Sequence, residues 1–510
     1  MKKLRLILGD QLNHQHSWFQ EVNENIVYCV FEMRQETDYT KHHIQKVVGF
    51  FLAMRNFAQE LKQKGRKVIY YKINDANNLQ NLIENLNQII QQEKIESFEY
   101  LLPDEYRLDK QLKDLSAELS IESKEFDSEH FYTSRKELKT FFEGKKTYLM
   151  ENFYRNMRKR HHVLMNGGQP EGGKWNYDKS NRKKWKEETL IPPHITFYKD
   201  VTDLVTEIKL AGIETIGSIN LKYFDYPISR EEALKQLEYF CESLLIHFGD
   251  FQDAMHTDQV NLYHSRISFA MNLKLISPKE VNERVIVEFR KKNTEIHISQ
   301  VEGFVRQILG WREYMRGMYW ALMPEYKNLN HLNNQNSLPE FFWTGKTKMN
   351  CLKNTINNSL ENAYAHHIQR LMITGNYALL TQVNPYEVDQ WYLGIYADAI
   401  EWVQLTNTRG MSQFADGGKI ATKPYVSSGS YIDKMSNYCG SCPYNKKERV
   451  GENACPFNSL YWNFLDDKRE YLSNNRRMGM MYNLLDKIPS EQLERIKERA
   501  YHIIQYADEY

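Results

Sequence analysis

Along the first 130 residues, short β-branched and apolar runs alternate with longer stretches whose apolar positions recur every three or four residues. Strands are predicted at 4–8, 26–31, 67–73, 98–102 and 121–126, with a helix over 44–64. This alternation specifies a doubly wound α/β domain over 1–130, a parallel sheet with helices on both faces. Between about 135 and 200 the periodicity fades into basic, polar, glycine-containing sequence, so 131–230 reads as an interdomain connection. From 231 to 510 the pattern is helical, with helices predicted over 302–320, 360–374 and 388–405, which makes the second half an all-α domain.

A chain of 510 residues exceeds one hydrophobic core, in keeping with this division. No run of roughly 18 uncharged apolar residues occurs, and the apolar run at the start is too short for a leader. The expectation is a cytoplasmic protein with no membrane segment, acting as a monomer. Lys and Arg number 67 against 66 Asp and Glu, so bulk charge does not decide for or against a nucleic-acid partner. Local clusters at 155–160 and 182–186 are candidates for phosphate contact, although a solvated helix face accounts for them equally well.

Ligands of an open parallel sheet bind beyond the strand carboxyl ends, which puts Gly9-Asp10-Gln11-Leu12 and residues 31–43 around one crevice. Neither a G-x-G-x-x-G after the first strand nor a G-x-x-x-x-G-K-[ST] is present, which argues against a conventional dinucleotide or P-loop site there. Cysteine usage is more telling. Cys439-x-x-Cys442 is followed by Cys455-Pro456, with Cys351 upstream, and these four can close a thiolate cage in the helical domain. A proline after a ligand cysteine favours an iron–sulfur cluster, while zinc satisfies the spacing as well. Three disulfides are the alternative for 6 cysteines, but a chain with no secretory leader points to a reducing compartment.

Polar groups recur on otherwise apolar helices at His264-Ser265-Arg266-Ile267-Ser268, Gln307, Arg312, His366-His367 with Arg370, and Asp398. A phosphate-bearing cofactor explains them together, with Asp398 the candidate partner of a buried Arg370. Singly, each is accounted for by a cap or a salt bridge.

The stretches Leu6-Ile7-Leu8-Gly9-Asp10-Gln11-Leu12, 303–317 (including Gly310-Trp311-Arg312-Glu313-Tyr314), 361–372 (including His366-His367-Ile368-Gln369-Arg370) and 410–418, with the segment 439–457, carry a resemblance. Over nearly its whole length the chain resembles the photolyase/cryptochrome superfamily, most closely its iron–sulfur bacterial branch of (6-4) photolyases. That resemblance implies an FAD in the helical domain, with His264, Ser265, Ile267 and Ser268 near its phosphates and Gln307, Arg312, Arg370 and Asp398 around the rest. Gln404, about two helical turns beyond Asp398, is expected to face the flavin too.

The same resemblance implies a [4Fe-4S] cluster on the four cysteines and electron transfer through Trp343, Trp391 and Tyr392, with Tyr425 and Tyr431 between cluster and flavin. It also implies a 6,7-dimethyl-8-ribityllumazine antenna held by Asp10, Phe31, Glu36 and Tyr39. The partner it implies is UV-damaged DNA, with His366 and His367 as proton donors at a (6-4) lesion. On a helix those two rings point about 100° apart, so one of them at most faces a ligand squarely. A blue-light photoreceptor without repair activity shares the fold. A non-flavin nucleic-acid-binding protein, with a four-cysteine domain similar to that of the primase large subunit, is the third reading.

Overall fold

The structure is a computed structural model that describes residues 1–145 and 147–510. The first domain is built on β1 (Lys3–Leu6), β2 (Ile26–Phe31), β3 (Lys67–Tyr71), β4 (Ser97–Leu101) and β5 (Glu122–Phe126). All four pairings are parallel, in the order β3-β2-β1-β4-β5. Side chains alternate across the sheet, as a period of two requires. Val27, Cys29 and Phe31 of β2 face a core shared with α2 (Leu82–Gln92) and α3 (Tyr106–Glu118). Ile26, Tyr28 and Val30 face α1 (Ile44–Gln63) and a core continuous with the helical domain. The order reverses between β1 and β4, so their carboxyl ends open a crevice.

The segment 131–230 is only partly a wrap. It contains α4 (Met150–Arg160), whose Phe153, Tyr154 and Met157 belong to the core. Within its basic run the side chains part company. Arg158 is buried and donates to the carbonyls of Val163 and Leu164 at 3.2 and 2.6 Å, so it pins the turn after α4 and is unavailable to a phosphate. Lys159 and Arg160 remain exposed.

The helical half includes α5 (Ile298–Val305), α6 (Glu313–Leu322), α7 (Asn350–Asn362), α8 (Pro385–Ile395), α9 (Glu401–Leu405), α10 (Gly429–Met435) and α11 (Pro456–Asp467). Two of the helices predicted from sequence are interrupted. The stretch 360–374 breaks after α7 at Ala363, whose φ of 51° lies in the left-handed region, and helix resumes at His367. The stretch 388–405 breaks between α8 and α9, and Asp398 lies in that break. Helical turns widened to the i→i+5 pattern occupy Arg306–Arg312, Arg370–Gly375 and Thr406–Ser412. Such turns are rare and concentrate at functional sites.

The two domains are locked by buried polar contacts. The Lys274 ammonium meets the Asp10 carboxylate at 3.0 Å and that of Asp104 at 2.9 Å, and Arg316 reaches Asp104 at 3.2 Å. His43 Nδ1 accepts from the Gln45 amide at 3.1 Å while its Nε2 lies 2.8 Å from the Leu360 carbonyl, which fixes the neutral tautomer. Gly217, at φ 72°, lies against that ring, where a Cβ would fall 1.9 Å from Nε2. Among the described residues no helix is long and apolar enough to cross a membrane.

Candidate functional site

The broken helices converge on Asp398. Its carboxylate accepts from the Ser268 hydroxyl at 2.6 Å and pairs with the Arg370 guanidinium at 2.9 Å, and its backbone carbonyl accepts from the Asn272 amide at 2.6 Å. Arg370 lies 3.8 Å over the Tyr396 ring and donates from Nε to the Ala365 carbonyl at 2.7 Å. Arg312, buried, donates to the Asn272 side chain at 2.5 Å and lies 4.9 Å from the Trp402 ring. Burial presses its pKa down to about 10. Ser268, Asn272, Arg312, Arg370 and Asp398 thus form one connected network, of which sequence reasoning missed only Asn272.

Ile267 precedes the short helix Ser268–Asn272, and Ser265 offers its carbonyl to Gln236 at 3.2 Å. Gln307 donates to the Gly303 carbonyl at 3.2 Å in the first widened turn. Gln404 is not an extension of the Asp398 helix. It belongs to α9, beyond the break, and its amide is bonded to Thr408 at 2.5 Å.

The break at Ala363 changes the geometry of the histidine pair. His366 precedes the helix with extended ψ of 163°, and His367 is its first residue, so the two are not successive rungs of one helix. His366 is buried and stacks on His264, with ring centroids 4.6 Å apart and planes inclined by 13°. Both His366 ring nitrogens and His264 Nε2 are buried without a protein partner. Desolvation, with neighbouring His264, His367 and Arg370, holds His366 well below the ordinary imidazole range. His367 is open to solvent yet crowded by protein, and desolvation together with Arg370 brings it to about 4.

The crevice of the first domain is a cavity of about 130 Å³ lined by Asp10, Phe31, Glu36 and Tyr39, all four anticipated from sequence. Lys46, Glu105 and Trp402 line it as well, and these were missed. Arg107 forks onto Glu36 at 3.0 and 2.7 Å and onto Glu105 at 2.6 Å. Burial nevertheless raises Glu105 to about 8, with Glu401 and Glu36 adding to the effect against Arg107. Burial lowers Lys46 to about 7. The buried Trp402 Nε1 has no protein partner. Glu105 follows β4 at the topological switch, so the carboxyl-end rule applied to that strand would have found it.

Cys351, Cys439, Cys442 and Cys455 line one common void with Met349, Ile432, Tyr438 and Phe457. All six cysteines are free, so the disulfide alternative fails. Cys351 lies in the first turn of α7, and Cys455 caps α11 with Pro456 at the first helical position, where a missing N–H costs nothing. Both helix starts favour negative charge on sulfur. In the absence of a cation, burial pushes Cys439 up to about 11 and Cys455 to about 12, with neighbouring thiols adding to the shift. Among the described residues no three His, Cys, Asp or Glu side chains converge closely enough to hold a single metal ion. Cys29 and Cys241 are buried elsewhere in the cores.

A (6-4) photolyase of Agrobacterium fabrum is 40% identical to this chain over 514 aligned positions that span all of both proteins. The chain belongs to the photolyase/cryptochrome family. Residues 5–224 match the family described as deoxyribodipyrimidine photo-lyase-related protein. In fold, the chain is similar to a bacterial class III photolyase from Agrobacterium tumefaciens, with a TM-score of 0.59, 12% identity and 99% and 98% of the two chains covered. It is also similar to a cryptochrome from Synechocystis sp. PCC6803, with a TM-score of 0.53, 12% identity and 97% and 93% covered.

Of the aromatic residues singled out in this family member, Trp391 and Tyr392 are buried with ring centroids 5.2 Å apart, and Trp343 is 39% exposed. Trp391 Nε1 donates to the carbonyl of Phe342, the residue before Trp343, at 2.9 Å. The Tyr392 hydroxyl donates to the Arg370 carbonyl at 2.5 Å, which ties it to the Asp398 network. Tyr431 lies on α10, whose Gly429 and Ile432 wall the cysteine void. Tyr425 precedes that helix, and both tyrosines stand in the field of Asp178, Asp253 and Arg182.

Proposed function

We propose that the protein repairs (6-4) pyrimidine–pyrimidone photoproducts in UV-damaged DNA by a light-driven reaction. The observation that carries this reading is the His264–His366 stack, with three buried ring nitrogens lacking protein partners, beside the Asp398–Arg370 pair. Buried polar atoms without protein partners imply a ligand that satisfies them. FAD fits: the Arg312–Asn272–Asp398–Arg370 network sets two guanidiniums against one carboxylate, a net positive wall suited to an anionic cofactor, and Arg312 Nε and Arg266 Nε are further buried donors without partners. When bound and reduced, FAD supplies the photoexcited electron.

The chain's own residues do the rest. His366 and His367 hold and deliver a proton to the lesion, which hydroxyl transfer between pyrimidines requires. Their depressed pKa values mean that the imidazoles are neutral until an anionic group enters the pocket. A flipped-out nucleotide brings such a group in its phosphate, and base flipping gives a lesion in duplex DNA access to a buried site. Trp343, Trp391 and Tyr392 are oxidisable rings leading inward from the surface.

Four thiols around an enclosed apolar void suit a [4Fe-4S] cluster, held by Cys351, Cys439, Cys442 and Cys455. The crevice suits a polar heterocycle such as 6,7-dimethyl-8-ribityllumazine, with Asp10, Glu36 and Glu105 as hydrogen-bonding partners and Phe31 and Tyr39 as apolar walls. The test is to illuminate the reduced protein with an oligonucleotide containing a (6-4) lesion and to assay restored pyrimidines. Restoration that disappears in His366→Ala, at unchanged flavin content, supports the reading. Full flavin photoreduction with no restoration overturns it in favour of a photoreceptor.

A further inference from the structure

Tyr438 occupies an unusual position. It immediately precedes Cys439, is buried, and lines the cysteine void. Its backbone carbonyl accepts from the Asn350 side chain at 2.8 Å, and Asn350 immediately precedes Cys351. The same Asn350 amide reaches the Ser441 hydroxyl at 3.0 Å, next to Cys442. The residue is therefore clamped between the two arms of the chain that bring the thiols together. Its phenol points the other way and accepts from the Gln369 amide at 3.0 Å.

Gln369 is buried as well, and its second amide atom is committed. Oε1 accepts the backbone N–H of His366 at 3.1 Å. A backbone N–H only donates, so the orientation of this amide is fixed, and Nε2 must face Tyr438. No side chain is hydrogen-bonded to the His366 ring among the described residues. Its placement rests on the backbone at 366 and the stack on His264.

We infer that Gln369 is a positioning residue for His366, and that through Tyr438 it makes the geometry of the histidine depend on the four-cysteine cage. The cage braces the lesion side of the pocket, quite apart from any passage of electrons. The connection is short: cage backbone, Tyr438 phenol, Gln369 amide, His366 backbone. A misplacement of about 1 Å far from the reacting atoms is enough to slow a positioned reaction severely. This inference rests on the reading of His366 as a lesion-side group.

The experiment uses holoprotein with flavin and iron quantified, and measures photoreduction and repair of a (6-4) oligonucleotide per absorbed photon. Gln369→Leu is expected to keep both cofactor contents and the photoreduction rate while repairing about tenfold more slowly. Gln369→Glu retains an acceptor for the His366 amide and can take the Tyr438 hydroxyl as donor, so repair is expected to return to within about twofold of wild type. Tyr438→Phe is expected to lose about threefold to fivefold, and the double variant Gln369→Leu/Tyr438→Phe to be no worse than Gln369→Leu alone. Wild-type repair by Gln369→Leu, no recovery in Gln369→Glu, or losses that track iron or flavin content would overturn the inference. Should Gln369→Leu not fold, Tyr438→Phe and Gln369→Glu decide the matter by the same criteria. His366→Ala separates the layers: if it repairs normally, the role of His366 itself is wrong, whereas its failure alongside normal Gln369→Leu sinks this inference alone.

Discussion

Replacing Lys274 by methionine tests the lock between the two domains. The ammonium is 1% exposed and lies within 3.0 Å of Asp10 and 2.9 Å of Asp104. Burial alone would raise Asp104, but Lys274, Arg316 and Arg135 outweigh it and hold its pKa below the ordinary value. Asp10 goes the other way: burial, helped by Asp104, outweighs Lys274 and raises it. Methionine fills most of the space, so the loss is chiefly electrostatic, and removing one partner from a buried ionic cluster costs about 3–5 kcal/mol. The variant's deficit must also depend on pH. Without Lys274 the folded pKa of Asp10 rises further above its unfolded value, so stability is lost as pH rises through the folded pKa and recovered as pH falls towards the unfolded one. Urea unfolding of the first transition, at about pH 7.5 and about pH 5, reads both effects. A deficit below about 1 kcal/mol at the higher pH, or one that fails to shrink at the lower, refutes the reasoning. Adding Asp10→Asn to the variant removes the repulsion and is expected to recover at least about 1 kcal/mol.

The remaining predictions address the site and the interface. Asp398→Asn keeps the Ser268 contact but leaves the partly buried Arg370 charge unpaired, so thermal unfolding should show a loss of about 1–3 kcal/mol, with weaker flavin retention on gel filtration. His43 is held neutral and burial lowers it from 6.5 to about 4, so it destabilises the fold as pH falls through that window, by about 3 kcal/mol in all; His43→Asn should flatten that part of the stability profile. Trp391→Phe should slow flavin photoreduction by at least about tenfold at unchanged flavin content, measured by the bleaching of flavin absorbance under blue light. Cys442→Ser should lose iron and stability together, because ligation free energy is folding free energy.

The sheet was legible because short β-branched and apolar runs separated by longer stretches of helical spacing have few other readings. All five strands lie within two residues of their predicted limits, from Lys3–Leu6 to Glu122–Phe126. The crevice followed from strand order, and the four cysteines from their spacing. What the sequence concealed is where helices stop. Alanine at 363 has the highest helix propensity of any residue and gives no warning of a left-handed conformation. Contacts from the connecting segment and the first domain flank it, for Tyr226 bonds the Asn362 carbonyl at 2.8 Å and His43 reaches that of Leu360. Apolar spacing continues through the break, so 360–374 read as one helix and the histidines as neighbouring rungs. Asn272 escaped because an amide on a short apolar helix carries no signal until the carbonyl it bonds is known.

The interruptions explain how an apolar helical domain can present a polar wall at all. A regular helix spends each carbonyl on the N–H four residues on, whereas a widened turn leaves carbonyls without that partner. Here they are used by side chains. The Arg370 carbonyl, opening one such turn, accepts from Tyr392 at 2.5 Å and Thr374 at 3.2 Å, and the Gly303 carbonyl, just before another, accepts from Gln307 at 3.2 Å. Tyr392 and Thr374 are thereby tied through Arg370 to the network around Asp398. Tyr392 therefore has two roles that a substitution separates: phenylalanine keeps an aromatic ring beside Trp391 but leaves the Arg370 carbonyl with Thr374 alone, and so loosens the residue that pairs with Asp398. The site is polar where the helices that carry it are irregular: Arg312 closes one widened turn and Arg370 opens another.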